Sequence, residues 1–309
     1  MYDNAITDFD TAIRLDIDRA KAYFGRGLTY KAKGQYVKAI ADFDIAIRLT
    51  PTNGYAYYYR GLVYFVTGLN DAAIADYNAA IRLEPEYAEA YFSRGHIFAA
   101  KGQYDAAIAD YDAVIRLKPE YAEGYYSRGL IHTVKGQSDN AFADYSSAIR
   151  LKPEYAEAYL GRGLTYKAKG QYDKAIADFD TAIRFNPNNA NNADAYYGRG
   201  NAYDNKGQYD RAIEDFDTAI RLTPDYADAY NGRAWVYHEK GEDAKGLPDA
   251  EKAVALEPKD ASILETRAEI YEKLGQHDKA VADYRSALKL DPKMKEAEDG
   301  LKRLGAEPN

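Results

Sequence analysis

A glycine that recurs at a nearly constant spacing constrains this chain more than any other feature. Six of the seven spacings are 34 residues and one is 37. The glycines are Gly34, Gly68, Gly102, Gly136, Gly170, Gly207, Gly241 and Gly275. Length alone would suggest two globular domains for 309 residues, but a period in this range is typical of stacked units that contact only their neighbours.

Each repeating unit predicts two helices. Residues 20–33 and 36–49 have apolar or small residues at three- and four-residue spacing, as in a helix with one buried stripe. Gly34 permits the turn between them, and Pro51 ends the second helix. In the seventh unit we expect Gly246 and Pro248 to leave the second helix kinked or short, because an interior proline costs about 3 kcal/mol.

The period divides the chain into eight repeats between two end segments. Residues 1–19 match the second helix of a truncated preceding repeat, and residues 295–309 predict a capping helix and tail. The repeats cover residues 20–53, 54–87, 88–121, 122–155, 156–192, 193–226, 227–260 and 261–294. Repeat 5 carries three extra residues in the Asn-rich stretch 186–192, which favours either a hinge or a tolerated surface loop.

The residues at fixed positions of each unit resemble those of the tetratricopeptide repeat family. With Ala20 as position 1, the signature falls on Tyr23, Gly27, Tyr30, Ala39, Phe43, Ala46 and Pro51. The resemblance covers nearly the whole chain, and its near-identical units are similar to bacterial members. It implies an all-helical α-solenoid, a right-handed superhelix of antiparallel helix pairs with about eighteen helices in all.

One arginine and one aspartate recur in every repeat, as Arg26 and Asp42 do in the first. We interpret them as a structural charge ladder between helices, because partly buried charges are normally paired. A second aspartate often follows two residues later, as Asp44 does. Its carboxylate lies about 200 degrees around the helix from the first, so we interpret it as mainly solvated.

The resemblance implies that positions 2, 5, 9 and 12 of each repeat face a concave groove. In repeats two to five these positions form an apolar, aromatic track that includes Tyr58, Leu62, Phe65, Phe92, His96, Tyr126, Leu130, Leu160 and Leu164. In repeats six to eight they turn polar and acidic, with Tyr197, Asn201, Asp204, Asp228, Asn231, Trp235, Glu265, Glu269 and Glu272. The alternative is that the tyrosines merely reflect a tyrosine-rich repeat.

From this track we expect the protein to bind an extended or helical segment of another polypeptide. The apolar part of that segment would lie against repeats two to five and a basic or polar part against the later repeats. Two classes of function fit this expectation. One is a protein-interaction scaffold, and the other is the recruitment region of an enzyme whose catalytic domain lies outside these residues.

Charge and composition narrow the partners further. A net charge of −8 argues against nucleic acid as a partner, which requires clustered positive charge. No apolar run is long enough to span a membrane in this segment. The chain contains no cysteine, which excludes disulfides and leaves the compartment open, with the cytoplasm favoured and the periplasm an alternative.

The sequence predicts no catalytic residue, cofactor or metal site. The Gly-x-Gly sequences that begin at Gly25, Gly161 and Gly198 fall inside first helices and lack the strand and third glycine of a dinucleotide site. The four histidines lie in separate repeats, without the short spacing of metal ligands. We therefore expect the chain not to be an enzyme.

The N-terminal segment predicts one further contact. Ile6, Phe9 and Ile13 lie on the stripe that a first helix would normally cover. We interpret the segment as cut from a longer chain, and we expect weak self-association through residues 1–20.

Overall fold

The computed structural model describes residues 2–186 and 192–308, and in this described part the chain forms eighteen α-helices and no strand. The all-helical prediction is confirmed. The predicted insertion at residues 186–192 lies mostly outside the described residues. The chain divides into two compact units, Met1–Lys152 and Pro153–Asn309, called unit 1 and unit 2 below.

In unit 1, α1 precedes four antiparallel helix pairs, and the first pair matches the helices predicted for repeat 1. The helices are α1 (Tyr2–Arg14), α2 (Arg19–Ala32), α3 (Tyr36–Leu49), α4 (Gly54–Val66), α5 (Asn70–Leu83), α6 (Ala88–Ala100), α7 (Tyr104–Leu117), α8 (Ala122–Val134) and α9 (Ser138–Leu151). Even-numbered helices from α2 onward are the first helices of their repeats.

In unit 2, four further pairs precede a final helix at the position predicted for the cap. The helices are α10 (Ala156–Ala168), α11 (Tyr172–Phe185), α12 (Ala193–Asp204), α13 (Tyr209–Leu222), α14 (Ala227–Glu239), α15 (Asp243–Leu256), α16 (Ala261–Lys273), α17 (His277–Leu290) and α18 (Lys295–Arg303).

The turn glycine closes each first helix. Gly34 has a φ of 70°, a left-handed conformation that glycine adopts without steric cost. Its N–H donates to the Lys31 carbonyl at 3.0 Å, and the Gln35 N–H donates to the Tyr30 carbonyl at 2.9 Å. These two bonds satisfy carbonyls that the helix end would leave unpaired. The turn then returns the chain antiparallel to the first helix.

Each helix pair except the seventh closes around one fully buried aromatic ring. These rings are Phe43, Tyr77, Tyr111, Tyr145, Phe179, Phe216 and Tyr284. A Cβ atom on Gly27 would lie 2.8 Å from the Phe43 ring, so the glycine allows the two helices to approach. Repeat 7 has Ala234 at the glycine position and Ala250 at the ring position, so the smaller residue on one helix leaves room for the larger on the other.

The second helix of repeat 7 differs from the expectation of a shortened helix. α15 spans Asp243–Leu256 without interruption and has the 14 residues typical of the other second helices, although Pro248 lies inside it. Pro248 is the sixth residue of the helix, so the hydrogen bond that it cannot donate is one to the exposed first turn. The loss of one bond near the helix start leaves the rest of the helix intact.

The recurrent arginine joins two second helices through the first helix that carries it. Arg128 donates from Nε and Nη2 to Asp144 of its own repeat, at 2.9 and 2.6 Å. Its Nη1 donates to Asp112 of the preceding repeat at 2.5 Å. The pairing recurs with Asp10 and Asp42 on Arg26, and with Asp44 and Asp76 on Arg60. The predicted charge ladder is confirmed.

The second aspartate of each Asp-x-Asp sequence was expected to be mainly solvated, and its side chain is indeed about half exposed, but it also bonds an arginine. Asp44 lies 2.5 Å from Nη1 of Arg60 in the next repeat, and Asp112 and Asp180 make the same contact with their following arginines. The carboxylate does point away from its own repeat, as the helix geometry requires. In a stack, that direction faces the arginine of the next repeat as well as water.

Two carboxylates on one arginine allow a matched test of the charge ladder. We expect Asp144→Ala to lower the free energy of unfolding by about 3 kcal/mol, because Asp144 is only 4% exposed and its loss leaves two N–H groups of Arg128 without their acceptor and the half-exposed Asp112 as its remaining carboxylate. Asp112→Ala should cost less than about 1 kcal/mol, because the side chain of Asp112 is 53% exposed. Urea denaturation measures both, and equal losses would contradict the assignment.

Candidate functional site

In unit 1, the predicted track begins at an aromatic cavity on α4. Tyr58 and Leu62 line a cavity of about 650 Å³ together with Tyr55, Tyr59 and Tyr87. The ring centroid of Tyr87 lies 4.9 Å from that of Tyr55 and 4.7 Å from that of Tyr58. Three tyrosine rings therefore meet at one end of α4, where Tyr55 is 50% exposed.

A second aromatic group lies on α6. The ring of Phe92 lies 4.3 Å from His96 and 5.2 Å from Tyr121, centroid to centroid. Phe92 and Tyr121 line a smaller cavity of about 80 Å³ with Val114. His96 is exposed, with one edge against Phe92, so it extends the aromatic surface rather than forming part of the core.

The remaining track residues of unit 1 lie on α4 and α8. Phe65 is 45% exposed near the end of α4, and Leu130 is 41% exposed on α8. Tyr126 is half-buried, and its ring centroid lies 6.0 Å from the core ring of Tyr145. These side chains present apolar area on the first helices without one closed pocket.

In unit 2, Leu164 is 37% exposed on α10, and Leu160 is half-buried one turn earlier. Tyr197 on α12 packs at 5.2 Å from Tyr226, centroid to centroid. Asn201 donates from its side chain to the Tyr197 carbonyl at 3.0 Å. That bond leaves the side-chain carbonyl of Asn201 as an acceptor on this face.

The polar side chains of α14 differ in their hydrogen bonding. Asn231 has a buried side-chain oxygen that accepts no hydrogen bond in the described part of the chain. The ring of Trp235 lies 5.4 Å from His238. His238 contacts Asp243 through Nδ1 at 2.5 Å and Glu269 through Nε2 at 3.5 Å.

The acidic end of the track is partly neutralised by the final helix. Arg303 of α18 donates two hydrogen bonds to Glu272, both at 2.9 Å, and lies 3.8 Å from Glu269. The same groups line a cavity of about 360 Å³ with His238 and Lys273. The face of α16 is therefore less negative than the three glutamates alone would indicate.

The third of these glutamates lacks such a partner. The pKa of Glu265 rises to about 8, because burial and then the neighbouring carboxylates of Glu269 and Glu296 disfavour its ionised form, against a smaller opposing effect of Arg303. On α12, burial and then Glu239 raise the pKa of Asp204 to about 6. Unit 2 thus holds carboxylates that a cation would stabilise in their charged form.

The raised pKa of Glu265 predicts a pH-dependent stability. A carboxyl group whose folded-state pKa exceeds its ordinary value of 4.5 contributes stability that is present below that value and lost as the pH rises to about 8. We expect Glu265→Gln to melt close to the unaltered protein at pH 5 and at least about 2 °C higher at pH 9. Thermal unfolding by circular dichroism at both pH values measures the difference.

The exposed Glu257→Gln variant is the control for this measurement. It should not change the melting temperature with pH in the same way, since Glu257 lies outside the carboxylate group of α16. A melting difference for Glu265→Gln that is the same at pH 5 and pH 9 would contradict the assignment.

Sequence reasoning missed part of the aromatic cavity. Tyr59 lies at position 6 and Tyr87 at position 34, which the resemblance does not assign to the groove, and the predicted track omits Tyr55 although it lies at position 2. The sequence signal for Tyr55 is that it differs from the equivalent residues of the next two repeats. Position 2 is tyrosine in repeat 2, as Tyr55, and glutamate in repeats 3 and 4, as Glu89 and Glu123.

Within residues 2–186 and 192–308, no three His, Cys, Asp or Glu side chains form a group that could hold a metal ion. No helix in the same residues is both long and apolar enough to cross a bilayer. Paired helices, buried rings and arginine–aspartate contacts instead define each unit. The chain is an array of stacked antiparallel helix pairs.

Comparison with known families identifies the family to which this array belongs. Sequence profiles described as TPR repeat match residues 27–68, 67–102, 95–136 and 131–170. Profiles described as tetratricopeptide repeat match residues 156–189, 193–226, 227–260 and 261–294. The chain belongs to the tetratricopeptide repeat family. No curated protein matches its sequence.

Solved structures share the fold. A tetratricopeptide repeat protein from Parabacteroides merdae covers 82% of this chain and 98% of its own, with a TM-score of 0.64 and 23% identity. PilF of Pseudomonas aeruginosa covers 70% of this chain and 97% of its own, with a TM-score of 0.62 and 14% identity. MamA covers 52% of this chain and 93% of its own, with a TM-score of 0.50 and 30% identity.

Proposed function

We propose that this protein is an interaction scaffold that binds a segment of another polypeptide on its first helices and performs no chemistry of its own. The observation that carries the proposal is the aromatic cavity of unit 1, where Tyr55, Tyr58 and Tyr87 meet beside Leu62. Tyrosines with exposed apolar faces and polar tips are common anchors in protein recognition.

The proposal assigns further binding residues to each unit. In unit 1, it includes Phe92, Tyr126 and the exposed Leu130, which favour apolar side chains of the bound segment. In unit 2, carboxylates such as Asp204 and Asp228 favour a basic or polar part, because their pKa values are raised first by burial and then by other carboxylates nearby.

A peptide-display selection tests the function with a library in place of a single chosen partner. Random twelve-residue peptides are selected on the full chain, and the dissociation constant of each selected peptide is measured by fluorescence polarisation. We expect the triple variant Tyr58→Ala, Phe92→Ala, Tyr126→Ala to weaken binding at least about tenfold, because each lost anchor removes about 1 kcal/mol or more.

A second triple variant controls for general loss of aromatic packing. Tyr36→Ala, Tyr104→Ala and Tyr172→Ala remove half-buried tyrosines from the starts of second helices. This variant should bind the selected peptides within about twofold of the unaltered chain. The proposal fails if both triple variants bind equally well, or if no peptide is selected over an unrelated helical protein.

We also propose weak self-association through the described part of the N-terminal segment, Tyr2–Ala20. Leu15 and Ile17 are 59% and 58% exposed just after α1, and Tyr2 at its start is 50% exposed. Sedimentation velocity should show a mean mass that rises with protein concentration, and Leu15→Asp with Ile17→Asp should remove the rise. A mass that stays monomeric into the high micromolar range would overturn this contact.

A further inference from the structure

The aromatic cavity of unit 1 differs from the equivalent positions of the next two repeats in its charges. In repeat 3, Lys118 follows the second helix and donates to Glu89 at the start of the first helix at 2.5 Å. In repeat 4, Lys152 donates to Glu123 in the same way at 3.2 Å. Each of these repeats therefore supplies its own cation at this place.

Repeat 2 reverses the charge at this place. The residue equivalent to Lys118 is Glu84, and the residue equivalent to Glu89 is Tyr55. A third change accompanies them, because Gly54 stands where repeats 3 and 4 have alanine. A Cβ atom on Gly54 would lie 2.7 Å from Cγ of Glu84, so the glycine makes room for the glutamate side chain to cross the start of α4.

The cavity consequently has more carboxylates than cations. Glu84, Glu86 and Glu89 line it against the single ammonium of Lys118, which Glu89 already binds. Within the described residues, neither Glu84 nor Glu86 pairs with a lysine or arginine, and both are exposed. Two carboxylates at the rim of a tyrosine-lined cavity thus have no cation of their own.

The tyrosines of the cavity present neutral rings. Burial raises the pKa of Tyr87, and the neighbouring Tyr58, Tyr59 and Glu89 raise it further. Burial is also the main reason that the pKa of Tyr58 is raised. The phenols therefore keep their protons at physiological pH, and the ring faces attract a cation through their quadrupole rather than through charge.

We propose that this cavity binds the guanidinium group of an arginine side chain on a bound peptide, with the group stacked on Tyr55, Tyr58 or Tyr87 and hydrogen-bonded to Glu84. This inference rests on the proposed peptide-binding function and names the side chain that the site takes. A planar guanidinium satisfies a ring face and a carboxylate at the same time, which the compact ammonium of lysine does less well.

Repeats 1 and 2 use the same combination of tyrosine rings and a carboxylate around their own arginines. The Arg26 guanidinium carbon lies 5.2 Å from the Tyr23 ring centroid and 5.8 Å from that of Tyr30, while its nitrogens bond Asp42. Arg60 lies 5.7 Å from both Tyr57 and Tyr64 and bonds Asp76. Tyrosine rings and a carboxylate thus surround these two arginines of the fold.

A short peptide without other anchors tests the cavity alone. The probe is the blocked heptapeptide Gly-Ser-Gly-Arg-Gly-Ser-Gly, and its dissociation constant for the full chain is measured by NMR titration. We expect saturable binding with a dissociation constant below about 10 mM. The same peptide with citrulline, which keeps the shape of arginine and removes its charge, should bind at least about tenfold more weakly.

Glu84→Lys installs the residue that repeats 3 and 4 carry at this position, so it is compatible with the fold. We expect it to weaken arginine-peptide binding at least about tenfold, because the new ammonium takes the place of the ligand cation. Glu120→Lys makes the same change of charge on an exposed residue outside the cavity, and it should bind within about twofold of the unaltered chain. Unchanged binding by Glu84→Lys, equal binding of the citrulline peptide, or no saturation by the arginine peptide would each overturn the inference.

Two further results separate this inference from the proposed function. If methylguanidinium chloride binds at least about tenfold more tightly than the heptapeptide, the cavity takes a small free cation, and a peptide as the source of the guanidinium is overturned. If display-selected peptides depend on Tyr58, Phe92 and Tyr126 but neither contain arginine nor respond to Glu84→Lys, the scaffold function stands and the arginine site falls.

Discussion

The structure depends on the recurrent arginine, whose guanidinium group is hydrogen-bonded inside the stack of helices. Arg128 illustrates it, with two bonds to the buried Asp144 and one to Asp112 of the preceding repeat. A buried charge without a partner is costly, so each arginine is stabilised by the buried aspartate of its own repeat and in most repeats by a polar side chain of the preceding second helix, which is Asn78 for Arg94. The hydrogen bond to Asp144 raises the pKa of Arg128 further, which keeps it charged at any physiological pH. Within each unit, this pairing therefore helps to fix the position of a repeat on the one before it.

This constraint separates structural residues from those that are available for function. The arginine, its aspartates, the turn glycine and the buried ring are nearly the same in every repeat, so they carry little information about a partner. Departures from the repeat are more informative. Gly54, Tyr55 and Glu84 change together in repeat 2, and together they replace an internal lysine–glutamate pair with a tyrosine cavity whose carboxylates outnumber its one lysine. On α18, Arg303 is a departure with the opposite effect, because it neutralises Glu272.

Most of the fold follows from the sequence, because the period repeats the same physical signals. Gly34 indicates the turn and Phe43 the core, and spacing alone identifies both. The site could be predicted only in part. Periodicity identifies the first helices, and the family resemblance implies that Tyr58 and Phe92 face the groove, but both treat each repeat separately. Tyr87 lies in the connection after α5, outside the first-helix positions, and the contact of Asp44 with Arg60 joins a second helix to the next repeat, so neither follows from the pattern of one first helix.

We propose that the first-helix tyrosines of unit 1 bind a polypeptide segment. Hydroxyl-radical footprinting with mass spectrometry, on the full chain with and without a saturating display-selected peptide, tests it most directly because it reports the solvent exposure of individual side chains. We expect the peptide to reduce oxidation of Tyr55 and Tyr58 on α4, while Tyr36 and Tyr104 on second helices react as before. Protection confined to Tyr36 and Tyr104, with Tyr55 and Tyr58 unchanged, would contradict it.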